Sequence, residues 1–446
     1  MPPPPVCPAP RRPLLATLTL SLMLAACGGG DDEDTPGPTP APPPVNTPEP
    51  APAPPPVNTP EPAPAPPPVN APEPAPAPPA PPPVTEPEPE PDIGPGSLTS
   101  SATVNTIKAS EITEALHSLE SKVREGIAPR YDVTSYRLTY MTTDKNGMPV
   151  KASGLVSVPI KPVVVASPVL SYQHATTFHD DQAPSRKVEA VEPPLVLASL
   201  GYIVVSPDYV GFGASKGVEH PYLTATPAAR AVIDMLAAAQ KWRLREGVAD
   251  NGQLFLAGYS EGGYATMAAH RVIQQEGGAL ATQLQAAVPG SGPYDVQETL
   301  DEQLRRLPSS LRRLLDPGNL SKLPGSVRDE LRRLLLRQMV PEDADVTYQT
   351  LFLDRYLADD KESIARDHSV HLGWAPAVPV YMFHGREDKT VPYSAALSAL
   401  RSFEAAGARG HVTLTDCTTP ELGHLDCVPE YFRFAVDRMG RLAQGL

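Results

Sequence analysis

The stretch Gln253-Leu254-Phe255-Leu256-Ala257-Gly258-Tyr259-Ser260-Glu261-Gly262 decides how the rest of the chain is read. Its first five residues form a short apolar run of strand length. Residues 262–271 are rich in alanine and lack proline, which predicts a helix. A strand that passes through a glycine-flanked serine into a helix is a nucleophile elbow. The serine sits on a strained turn with its hydroxyl above the sheet, and a side chain at either flanking glycine would crowd that turn. Ser260 is therefore the predicted nucleophile.

The pentapeptide alone is weak, since a chain of 446 residues shows G-x-S-x-G by chance about 0.1 times. Gly213-Ala214-Ser215-Lys216-Gly217 also matches. It follows the apolar run 202–206 only after six further residues, and leads into Val218-Glu219-His220-Pro221, not a helix. Ser215 is accordingly read as a loop residue.

A serine hydroxyl needs a histidine to take its proton and a carboxylate to orient that histidine. Downstream, the predicted strand 378–383 runs into His384-Gly385-Arg386-Glu387-Asp388-Lys389-Thr390-Val391-Pro392. Asp388 falls on a turn beyond the strand's carboxyl end, where catalytic groups collect in open α/β sheets. Glu387 is the neighbouring competitor and Asp367 a weaker one. His424, in Leu422-Gly423-His424-Leu425-Asp426, is the expected base. His384 and His411 read as structural. For a developing oxyanion the expected donors are the Glu261 N–H and a group in the loop after strand 168–172, with Gln173 and His174 as the candidates.

Further strands are predicted at 133–141, 152–158, 202–206, 285–289 and 411–415, with helices at 111–125, 193–200 and 227–244. Asn146-Gly147 marks a hairpin. The alternation predicts an α/β fold: a mostly parallel sheet with helices on both faces. Between 296 and 367 the rhythm changes. Leu304, Leu307, Leu311, Leu314 and Leu315 recur at helical spacing, as do Leu331, Leu334 and Leu335. This segment is expected to be an inserted helical cap that shapes the substrate pocket.

Together, Asp208-Tyr209-x-Gly211-x-Gly213-x-Ser215, His220-Pro221-Tyr222, Gly258-Tyr259-Ser260-Glu261-Gly262-Gly263, His384-Gly385-x-x-Asp388-x-x-Val391-Pro392 and Gly423-His424 resemble the microbial secreted lipase and esterase branch of the α/β-hydrolases, of the fungal lipase A type. The resemblance covers roughly residues 130 to 435. It implies a carboxylic ester hydrolase with a Ser260–Asp388–His424 triad, an acyl-enzyme, a small-molecule or lipid ester as substrate, and no cofactor or metal. Such relatives often have glycine after the loop histidine, where this chain has Ala175. A serine peptidase on the same fold and a tethered, non-catalytic surface protein are the alternatives.

The amino-terminus reads as targeting. Arg11-Arg12 precedes a short apolar stretch, 14–24, and Leu24-Ala25-Ala26-Cys27 resembles a bacterial lipobox. That resemblance predicts a signal peptide over 1–26, lipidation of Cys27 (palmitate among the acyl groups) and attachment to a Gram-negative outer membrane. A plain secretory signal is the alternative. Residues 27–99 read as an extended, proline-rich tether ahead of a catalytic domain over 100–446. From Asp31 to Asp92 the tether carries eleven acidic residues and no Lys or Arg, which accounts for most of the net charge of −14. No basic stripe marks a nucleic-acid partner. In an oxidising compartment, Cys417 and Cys427, which bracket His424, are expected to form a disulfide.

Overall fold

The computed structural model describes residues 93–118, 125–162, 165–307, 315, 318–419 and 423–446. The predicted signal, Cys27 and nearly all of the tether lie outside them, as do residues 308–314, 316 and 317 of the predicted cap. Among the described residues no helix is long and apolar enough to cross a membrane.

Among the described residues nine strands form one sheet: β1 Leu98–Ile107, β2 Asp132–Thr143, β3 Pro149–Ile160, β4 Ser167–Gln173, β5 Ile203–Pro207, β6 Asp250–Tyr259, β7 Leu284–Gly290, β8 Val380–His384 and β9 Val412–Asp416. Their order is β1-β2-β3-β5-β4-β6-β7-β8-β9. The first three strands run antiparallel to their neighbours, and β3 meets β5 antiparallel. From β5 to β9 every pairing is parallel. The β2–β3 hairpin turns at Asn146-Gly147, where Asp144 Oδ1 accepts from Asn146 N and Met148 N, each at 2.8 Å.

Two apolar layers sandwich the parallel half. On one face the helices Ala225–Glu246 and Glu261–Glu276 bury Trp242, Tyr264 and Met267. On the other, helices Pro193–Ser199 and Val428–Gly440 bury Leu195, Leu197 and Tyr431 against Phe255 and Phe383. Burial on both faces explains why the central strands read as continuous apolar runs; every residue of β4 is buried. β1 was not predicted: its sequence, Leu-Thr-Ser-Ser-Ala-Thr-Val-Asn-Thr-Ile, is largely exposed at the sheet edge. The first helix spans Ala109–Ser118, starting two residues before the predicted 111.

Between β7 and β8 the chain leaves the sheet for the helices Val296–Arg305, Gly325–Met339 and Leu351–Leu357. Asp295 caps the first of them, accepting from Glu298 N at 3.0 Å. Leu300, Leu304, Leu331, Leu335 and Phe352 join the first of the two cores. This inserted segment touches three loops at the carboxyl ends of the strands. Arg306 and Gln303 donate to main-chain carbonyls of Asp388, Lys389 and Thr390. Asp345 pairs with the loop after β4, through Phe178 O and Asp180 N. Tyr348 forms a bridge with His220.

β4 is the point where the strand order reverses, with β5 added on one side and β6 on the other. The connections after β4 and β6 therefore leave in opposite directions, the kind of switch point at which open α/β sheets place their sites.

Candidate active site

Ser260 stands between β6 and the helix Glu261–Glu276 with φ 58° and ψ −122°. Such a backbone is costly for a residue with a side chain, about 1–3 kcal/mol. The surroundings hold it there. Ser260 N donates to Gly290 O at 2.8 Å, and Tyr264 N donates back to Ser260 O at 3.1 Å. The flanking glycines are forced by close approach: a Cβ on Gly258 would lie 2.4 Å from Gly262 O, and one on Gly262 would lie 2.0 Å from Gln173 O.

Three side chains separated by up to 164 positions meet at this turn. The Ser260 hydroxyl faces His424 Nε2 at 2.9 Å. On the other side of the ring, His424 Nδ1 donates to Asp388 Oδ2 at 2.6 Å. A carboxylate oxygen only accepts, so Nδ1 carries the proton and Nε2 is the acceptor for the serine. Asp388 is buried, and its Oδ1 accepts from Thr390 N and Val391 N at 2.9 Å each. Burial opposes its ionisation, but the hydrogen bonds from His384 and His424 outweigh it and hold the carboxyl well below the usual range. Glu387 is exposed beside it and is not among these partners. Asp367 pairs instead with Arg355 and Arg366.

His424 lies on an irregular turn ahead of the helix Val428–Gly440. Two features hold that turn. Tyr259 Oη donates to His424 O at 2.6 Å. A Cys417–Cys427 disulfide, with both cysteines buried, closes the segment that contains His424. Glu430 adds hydrogen bonds to Thr418 N and Oγ1, each 2.9 Å.

The oxyanion candidates also converge, but unequally. Glu261 is the first residue of its helix, where N–H groups have no intrahelical partner. Gln173 pairs with Gly258 across β4 and β6, and its carbonyl abuts Gly262. Neither loop side chain is free. Gln173 donates to Ser171 Oγ and accepts from Thr266 Oγ1, at 2.6 and 2.7 Å. His174 donates from Nδ1 to Ala175 O at 2.7 Å and stacks on Tyr209, and burial lowers its pKa. What this loop presents to the turn is main chain.

Ser215 is buried away from this cluster. Its Oγ accepts from Gly211 N and donates to Phe212 O, both at 2.9 Å. Asp208 organises the same loop, accepting from Ser153 Oγ and Ser185 Oγ at 2.6 Å and from Ser185 N at 2.8 Å. The Tyr259–His424 bond escaped the sequence reading. Tyrosine inside the elbow is the only hint of it, and it does not name a partner. Among the described residues no group of His, Cys, Asp and Glu could hold a metal ion.

The fold is that of the α/β-hydrolases. The model of the secretory lipase family matches residues 190–303, which include the elbow. The chain is similar to a solved structure from Legionella pneumophila, with 24% identity over 77% of this chain and 97% of that one, and a TM-score of 0.61. It is also similar to the rice cell wall degrading esterase LipA from Xanthomonas oryzae, with 25% identity over 77% of this chain and 96% of that one, and a TM-score of 0.55. The likeness to Candida antarctica lipase A is weaker: 19% identity over 75% and 78% of the two chains, with a TM-score of 0.48. No curated protein matches.

Proposed function

We propose that this α/β-hydrolase, a carboxylic ester hydrolase, works through a Ser260–Asp388–His424 triad and a covalent acyl-enzyme. The observation that supports this most is the unbroken path from the Ser260 hydroxyl through both nitrogens of His424 to the Asp388 carboxylate, at 2.9 and 2.6 Å. Ser260 Oγ attacks the ester carbonyl as its proton passes to His424 Nε2. Asp388 holds the resulting imidazolium through Nδ1–H. The Glu261 N–H and the main chain at Gln173–His174 receive the oxyanion. Collapse expels the alcohol, which takes the proton from His424. Water then repeats the sequence on the acyl-enzyme and releases the acid.

The segment 296–367 is proposed as a helical cap that lines the pocket, because it touches both the acid turn and the loop after β4. Export fits the secretory family match. Lipid anchoring at Cys27 and the extended tether rest on sequence alone; Cys27→Ser should release an otherwise membrane-bound protein with unchanged kinetics.

The central test is a fluorophosphonate probe with an ester series from acetate to palmitate. Ser260→Ala should abolish labelling and lower ester hydrolysis by about three to six orders of magnitude. Ser215→Ala should keep labelling at Ser260. Labelling at Ser215 instead would refute the assignment. Equal turnover of matched amides would favour a peptidase.

A further inference from the structure

Glu261 brings more than its N–H to the elbow. Its side chain turns inward, is 6% exposed, and meets His220 Nε2 through Oε1 at 2.7 Å. His220 is 3% exposed. Its other nitrogen, Nδ1, lies 2.8 Å from Val210 O. A carbonyl only accepts, so Nδ1 carries a proton. One further proton then lies between Nε2 and Oε1. It sits on the imidazole, giving an imidazolium facing a carboxylate, or on the carboxyl, giving two neutral partners. Either way the pair is neutral as a unit.

Resting on the triad reading above, we propose that His220 is a positioning residue for the oxyanion side of the reaction: it neutralises and orients Glu261. A buried carboxylate on the residue that must receive a negative oxygen would oppose the transition state if it stood alone. His220 is built to prevent that. Aromatic rings surround it: Tyr209, Phe212, Tyr222 and Tyr348 have centroids 5.9, 5.3, 6.1 and 5.2 Å away. Its main chain is clamped by the inserted segment, with His220 N donating to Thr347 O and Gln349 N donating to His220 O, both at 2.8 Å. Gly211 leaves room for it, since a Cβ there would lie 2.8 Å from His220 Cβ. The inserted segment thereby reaches the nucleophile turn through one imidazole.

The experiment uses the full chain with a short-chain p-nitrophenyl ester. His220→Ala should lower kcat at least tenfold and change KM less than about threefold, since the interaction matters where charge develops. Glu261→Gln should lose less than His220→Ala, because its amide still donates to Nε2 and no charge is left behind. The double variant His220→Ala, Glu261→Gln should regain most of the kcat that His220→Ala loses. A double variant as slow as His220→Ala would mean a packing role alone and overturn the proposal, as would a fully active His220→Ala. If His220→Ala does not fold, His220→Asn is read in its place by the same criteria. Ser260→Ala runs in parallel: if it remains active, the triad reading itself fails, whereas an inactive Ser260→Ala with a flat His220 series sinks only this inference.

Discussion

Tyr259 and Ser260 are adjacent in sequence yet hold the same histidine from two directions: the Tyr259 hydroxyl donates to His424 O at 2.6 Å, and Ser260 Oγ meets His424 Nε2 at 2.9 Å. The strand that delivers Ser260 thus also registers His424 against it. Tyr259→Phe keeps the buried ring and removes only the hydroxyl. It should lower kcat several-fold, leave KM nearly unchanged and cost about 1–2 kcal/mol, because a part-buried carbonyl loses its donor. Steady-state kinetics with a denaturation curve check this. Unchanged kcat would show that the disulfide and the following helix suffice to hold His424.

The acid is resolved by paired substitutions. Asp388→Asn should reduce kcat by about three to four orders of magnitude, because an amide at Oδ2 favours the wrong imidazole tautomer. Glu387→Gln should stay within about threefold of the parent. The reverse pattern would move the acid by one residue.

The Cys417–Cys427 bridge closes a loop of ten residues, which in the chain-entropy model contributes roughly 2–3 kcal/mol. Cys417→Ser with Cys427→Ser should lower the thermal midpoint and kcat together, because the closed segment carries His424. Calorimetry and kinetics on the same sample test the coupling. A lower midpoint with unaltered kcat would confine the bridge to stability.

Asp234 offers a pH signature away from the site. Burial raises its pKa to about 6, even though Thr142 Oγ1 donates to it at 2.7 Å. A folded carboxyl with a raised pKa binds its proton more tightly than the unfolded chain does. Its contribution is therefore favourable at acid pH and is lost as pH rises from about 4 through about 6. Asp234→Asn is neutral throughout. Its stability relative to the parent should improve across that window, by about 1–3 °C in thermal midpoint. A constant difference between pH 4 and pH 8 would show that Asp234 does not titrate there.

The elbow and the acid turn could be read from sequence because each couples a buried parallel strand to a local glycine or proline signal, and the final histidine follows the last strand beside a glycine. Residues 253–257 are apolar throughout because β6 is covered on both faces, and Gly258 and Gly262 announce the turn. β1 left no such trace, since an exposed edge strand is built from serine, threonine and asparagine. The helices Tyr393–Ala405 and Val428–Gly440 each carry a proline near the first turn, a signal that was available. The Glu261–His220 and Tyr259–His424 pairs were not legible at all. Each joins motifs 41 and 165 positions apart, and nothing in either motif names the other. Local pattern reports which residue types are present; only the assembled fold reports which of them meet.

The inserted helices leave the sheet after β7 and return at β8, two strands that are direct parallel neighbours. The pairing of β7 with β8 involves no residue of 296–367. On the proposed cap and triad assignment, selectivity and bond-breaking fall in separable stretches of the chain. The few places where the two are stitched together, Gln303 and Arg306 on the acid turn and Thr347–Gln349 on His220, mark where a change of diet would begin to tax the chemistry.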